Sequence, residues 1–134
     1  LCEEFKLPVL LHTGDSRYDY SNPNRLIPIL NIYDKMVVVG AHFGGWSMWD
    51  EASKLLADRE NFYVDCSSSF YALSDGKIRE IIARYGVDRV LFGTDYPMWS
   101  VETDLKRFYT LGYNKDDSDK IHYQNAVKVY GLKL

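Results

Sequence analysis

Four short apolar runs, each closed by a polar or chemically reactive residue and each followed by a helical pattern, constrain this chain more than any other feature. The runs are PVLLH (8–12), MVVVGAH (36–42), FYVDCS (62–67) and VLFGTD (90–95). Continuous apolar segments of this length, rich in Val, Ile and Leu, are what a strand buried on both faces requires. The stretches between them carry apolar residues at three- and four-residue spacing, the period of a helix that covers one face of a sheet.

The helical stretches can be placed in order. The first spans about 24–33, with Leu26, Ile29, Leu30 and Tyr33 on one side after the start signals Asn22 and Pro23, and Pro28 weakens it. The second spans 46–59, with Trp49, Ala52, Leu55 and Leu56 forming a stripe opposite Asp50, Glu51, Lys54 and Asp58. Ile78, Ile81, Ile82 and Tyr85 mark the third, which stops at Gly86, a residue suited to a C-terminal cap. The fourth spans 102–111, and a closing helix spans 117–130 with Ile121, Ala126 and Val129 inward and Gly131 at its end.

Strict alternation of strand and helix implies parallel strands joined by right-handed crossovers. Two α/β architectures satisfy it: a small doubly wound open sheet, or four βα units of a parallel (β/α)8 TIM-type barrel, whose complete form needs roughly 250 residues. The strand-end residues His12, His42, Cys66 and Asp95 recur at intervals of about 24 to 30 residues, the size of a barrel unit. The chain has 134 residues, which is one domain or part of one, and it begins with the end of a helix that runs straight into a strand. That beginning is the expectation for a half-barrel.

Composition excludes several classes. A net charge of -3 gives no overall positive field, so no nucleic-acid partner is expected. No apolar run reaches the roughly 20 residues that cross a bilayer, and the first residues lack the pattern of a signal peptide, so no membrane partner is expected and the chain reads as soluble and cytoplasmic. Cys2 and Cys66 lack metal-site spacing and read as free thiols.

In parallel βα folds the functional groups gather at the carboxyl ends of the strands. His12, His42 and Asp95 all stand there. Two imidazoles and a carboxylate from separate strands suit either a divalent cation or a proton-transfer site, and spacing alone leaves both open. The loops after the strands are rich in aromatics: Tyr18 and Tyr20; Phe43, Trp46 and Trp49; Phe70 and Tyr71; Tyr96, Met98 and Trp99. Together with Arg17 as a carboxylate clamp they suit a planar or aromatic acid, with Trp46 and Tyr96 as substrate contacts. Asp65 and the serine run 67–69 read as caps for the next turn or as hydrogen-bond partners of a ligand. His122, on the closing helix, reads as structural or solvent-facing.

The segments VLLHTG, VGAHFGG and VLFGTDYP, with the final NAVKVYGL, resemble the amidohydrolase superfamily, and most closely its branch of aminocarboxymuconate semialdehyde decarboxylase-like enzymes. The resemblance covers nearly the whole chain. It implies strands five to eight of the barrel, the C-terminal half, with His12 as a metal ligand, Asp95 as a ligand or metal-linked base, and His42 as the catalytic acid/base. The implied ion is zinc, with manganese as the runner-up. The implied reaction is metal-dependent hydrolysis or decarboxylation of a small organic acid, ester, lactone or amide.

One departure matters: the branch carries H-x-H on its first strand, and no H-x-H occurs here. The chain should therefore supply at most two of four protein ligands and bind metal weakly by itself. Two other readings stand beside this one, a metal-independent lactonase of the same branch and a non-catalytic half-barrel. The second would pair with another copy, as a homo-oligomer, or with a missing N-terminal half, because a cut barrel has two free sheet edges and an apolar inner face.

Overall fold

A computed structural model describes residues 1–133. Four strands form one parallel sheet in the order β1-β2-β3-β4: β1 (Val9–Leu11), β2 (Val38–Gly40), β3 (Phe62–Asp65) and β4 (Val90–Leu91). Strand order that follows chain order separates the two architectures left open by the sequence. A doubly wound sheet reverses direction at a switch point, whereas a barrel adds each strand beside the last.

The strands are shorter than the apolar runs because His12, His42 and Asp95 lie beyond the paired residues, where the backbone turns into the loops. The helices are α1 (Leu26–Ile32), α2 (Trp49–Leu56), α3 (Asp75–Tyr85), α4 (Val101–Tyr109), α5 (Lys115–Asp119) and α6 (Asn125–Tyr130). A 3-10 turn at Pro23–Arg25, capped by the Asn22 side chain, precedes α1. Starting α1 at Leu26 puts Pro28 in its first turn, where a missing N–H costs no intrahelical bond. In α2 the buried residues are Ala52, Ser53 and Leu56, and Leu55 lies at the rim, 37% exposed.

Period-two alternation sorts the strand residues into two layers. Val38, Phe62, Val64 and Val90 point to the helical layer, where they pack with Leu56, Ile78, Ile81, Ile82 and Tyr85. Val39, Tyr63 and Leu91 point the other way and meet Ala126 and Val129. The closing segment is not one helix. A π-helical stretch at Lys120–Gln124 separates α5 from α6, and the Ile121 carbonyl accepts from Phe92 N at 2.7 Å.

Asn125 Nδ2 donates to the carbonyls of Val87 and Val90, each at 2.7 Å. This corrects the expectation of two free edges and a bare inner face. The closing segment caps backbone groups beside β4 and covers part of the inner face, while β1 pairs only with β2 among the described residues. Leu7, Leu10, Ile29 and Ile32 are exposed. Among the described residues no helix is long and apolar enough to cross a membrane, and Cys2 and Cys66 are free thiols.

Candidate active site

The sheet brings His12, His42 and Asp95 to one cavity of about 280 Å³, whose other lining residues are Asp15, Arg17, Trp46, Ser68, Tyr71, Met98 and Trp99. Each of the three comes from a different strand end. His42 Nε2 lies 3.0 Å from His12 Nδ1, and the rings meet edge-on at 4.9 Å between centroids. The backbone at these turns is unusual: His42, Phe43, Ser68 and Asp95 have φ of 59°, 53°, 45° and 64°. Left-handed conformations of non-glycine residues persist only where surrounding contacts enforce them, and they concentrate at functional sites.

Those contacts come largely from the strand end of β3. Asp65 Oδ1 accepts from His42 N at 3.1 Å and from Ser67 N at 2.9 Å. Ser67 Oγ lies 2.9 Å from His42 Nδ1. Ser68 Oγ donates to Asp95 Oδ2 at 2.8 Å and accepts from Trp99 Nε1 at 2.8 Å. Ser69 Oγ accepts from Trp49 Nε1 at 3.0 Å. Capping of α3 falls to Ser74 instead, so the serine run braces the site and does not cap the next turn. In the sequence, three hydroxyls that begin two residues after a strand-end carboxylate are the signal for this role.

The β1 loop reaches across to the β2 loop through Gly14, which bridges Trp46. A Cβ on Gly14 would stand 2.3 Å from Trp46 N, and its φ of 87° also favours glycine. Just beyond it, Arg17 Nε and Nη2 form a two-point pair with Asp15 at 2.9 and 2.8 Å. That pair holds the Asp15 carboxyl down at about 2, chiefly through the side-chain hydrogen bonds from Arg17. The guanidinium carbon also lies 5.7 Å from the centre of the Trp46 ring.

The expected aromatic contacts are partly redistributed. Trp46 lines the cavity, but Tyr96 does not. The chain turns at left-handed Asp95 and Tyr96 emerges into solvent, 76% exposed. Tyr71 and Trp99, stacked at 4.5 Å with 13° between planes, form that wall instead. Phe43 and Phe70 are core residues, packed beneath the loops. His122 is wedged among Phe92, Phe108 and Tyr109, away from the cavity.

Among the described residues no three His, Cys, Asp or Glu side chains form a group able to hold a metal ion. Of the side chains lining the cavity, His12 and Asp95 are two potential metal donors, each with one side-chain contact already made within the protein. Two such donors fit part of a divalent-metal site, and a structural or catalytic zinc site takes at least three protein ligands.

Fold and site together define a parallel α/β protein of barrel type whose candidate site lies at the strand carboxyl ends. The sequence model of the amidohydrolase family matches residues 1–132, and the chain belongs to that family. Gamma-resorcylate decarboxylase of Polaromonas sp. (strain JS666 / ATCC BAA-500) is 30% identical over 73 residues, 54% of this chain and 22% of the relative. An uncharacterized TIM-barrel protein of Bordetella bronchiseptica superposes with a TM-score of 0.81 at 30% identity, over 97% of this chain and 47% of that one. Dihydroxybenzoic acid decarboxylase of Polaromonas sp. JS666, solved with bound manganese and the inhibitor 2-nitroresorcinol, shares the fold with a TM-score of 0.72 at 20% identity, over 98% of this chain and 52% of that one. The chain thus spans about half the length of these solved structures and less of the curated relative.

Proposed function

We propose that this chain forms the C-terminal half of a metal-dependent barrel enzyme, a decarboxylase or hydrolase of small organic acids. Residues from an N-terminal half complete its active site. The observation that carries the reading is the meeting of His12, His42 and Asp95 at one cavity from three separate strand ends. Decarboxylation of a planar aromatic acid is the favoured reaction. The stacked Tyr71 and Trp99, with Trp46, line the cavity and suit a flat ring, and Arg17 Nη1, which the Asp15 pair does not use, is a donor for its carboxylate. The decarboxylases among the relatives act on such acids by name.

Roles follow from the contacts. His12 and Asp95 are the residues that would hold the metal, zinc or manganese. When bound, the metal would supply Lewis-acid polarisation of the substrate's oxygens. His42 is the acid/base: Ser67 occupies its Nδ1, so the proton it moves enters and leaves at Nε2, the nitrogen that faces His12. Ser68 holds one oxygen of Asp95 and leaves the other for ligation or proton transfer. Tyr71, Trp99 and Trp46 give the cavity aromatic walls.

The test is turnover by the full-length protein with zinc or manganese, assayed on hydroxybenzoates for CO2 release and on lactones, esters and amides for hydrolysis. Release of CO2 that is lost on chelation and in His42→Asn is the expected result. Lactone hydrolysis that survives chelation would replace it with the metal-independent lactonase reading. Absence of any turnover under both conditions would remove the enzyme reading.

A further inference from the structure

Asp65 closes β3 on the inner face of the sheet, and one of its oxygens organises the histidine pair. Besides the His42 and Ser67 backbone N–H groups, Asp65 Oδ1 accepts from the Ser67 hydroxyl at 2.5 Å.

Counting hydrogens along this chain of contacts gives it a direction. The single hydrogen of the Ser67 hydroxyl goes to the carboxylate, so toward His42 that oxygen is an acceptor. The Ser67 carbonyl, 3.1 Å from the same ring nitrogen, is an acceptor by nature. Two acceptors on His42 Nδ1 require a proton on that atom. A neutral imidazole protonated at Nδ1 presents its electron pair at Nε2, and the group facing Nε2 is His12 Nδ1. That nitrogen must then donate, so neutral His12 carries its proton on Nδ1 and keeps its electron pair on Nε2.

We propose that Asp65 is a positioning residue that, acting through Ser67, sets the tautomer of His42 and, one ring further, that of His12, leaving His12 Nε2 as the open electron pair of the site. The same carboxylate oxygen, bonded to His42 N, also holds the left-handed turn that presents the His42 ring. Its importance for catalysis rests on the functional reading above; the tautomers themselves do not. Residues that orient a ligand or catalytic histidine typically change affinity or activity by about 10- to 100-fold when removed.

The experiment is long-range nitrogen–proton correlation NMR on the full-length, metal-free protein with 15N-labelled histidine, at a pH above the histidine range, paired with steady-state kinetics. Wild type is expected to show both His42 and His12 protonated at Nδ1. Asp65→Ala should show mixed tautomers at both rings and a kcat lowered about 10- to 100-fold. Asp65→Asn, which keeps the acceptor oxygen, should retain the wild-type tautomers and most of kcat. A wild-type His42 protonated at Nε2 would overturn the proposal even if Asp65→Ala fails to fold, and so would folded Asp65→Ala with unchanged tautomers. Turnover that is unaffected in folded Asp65→Ala would refute the catalytic importance of Asp65. Tautomers that shift as stated in a protein with no turnover would instead count against the decarboxylase reading alone.

Discussion

Ser68 Oγ donates to Asp95 Oδ2 at 2.8 Å while accepting from Trp99 Nε1 at the same distance, which ties the strand-end carboxylate to the aromatic wall of the cavity. Ser68 has no other polar side-chain contact among the described residues, so Ser68→Ala removes this link and nothing else. The variant should lose about 2 kcal/mol of stability, since two hydrogen bonds go and each is usually worth about 1 kcal/mol. Its kcat should fall about 10- to 100-fold, because Asp95 loses the group that fixes its rotamer. Thermal unfolding and steady-state kinetics on the same preparation would separate the two effects. Unchanged kcat would show that Asp95 needs no such support.

Arg17 spends Nε and Nη2 on Asp15 and keeps Nη1 uncommitted among the described residues. A substrate carboxylate would therefore meet it through Nη1. Lysine cannot hold Asp15 at two points and also reach a second anion, so Arg17→Lys should raise KM about tenfold with kcat within about twofold. With the Asp15 carboxyl at about 2, the pair is intact across the neutral and mildly acidic range, and this KM effect should not vary there. Equal KM values for wild type and variant would remove Arg17 from substrate binding.

His122 lies 4.5 Å from the Phe108 ring centre and has Phe92 and Tyr109 at 5.4 and 5.5 Å, and its Nε2 is a buried atom with no hydrogen-bond partner. Burial lowers its pKa below the ordinary value of 6.5, against a smaller opposing pull from Asp119. The unfolded chain therefore takes up this proton first as pH falls. Stability is at its full value above about 6.5 and declines below it, until the folded state also becomes protonated. His122→Phe should flatten the fall in urea midpoint between about pH 7.5 and about pH 5.5. Identical slopes in variant and wild type would place the acid sensitivity elsewhere.

His12 and Asp95 alone make a poor zinc site, since zinc sites of either kind take at least three protein ligands. Titration calorimetry on residues 1–134 should accordingly show weak binding, in the range where ordinary surface groups compete. Tight one-to-one binding would mean that the segment completes its site with donors of its own, and the proposed need for an N-terminal half would fall.

Much of this molecule was legible in one dimension. Apolar runs of fixed length, helical periods between them and polar residues at their ends follow from burial and backbone geometry, which act over a few neighbouring residues. The sequence alone therefore determined the four strands, their parallel pairing and the placement of His12, His42 and Asp95 at the strand ends. It also marked Gly86 and Gly131 as helix stops, and both follow the last residue of a helix. Strand order lay beyond that reach, because two architectures share the same alternation and only long-range pairing distinguishes them.

Side-chain partnerships were decided by tertiary structure for the same reason. Whether an aromatic after a strand faces the cavity, the core or solvent depends on one or two backbone dihedrals: Trp99 went inward, Phe70 beneath and Tyr96 outward. Which hydroxyl meets which acid, and hence which histidine nitrogen carries a proton, depends on placements of a few ångströms between strands about 25 residues apart in the chain. A sequence specifies the groups available, and only the folded backbone specifies which of them are close enough to share a hydrogen.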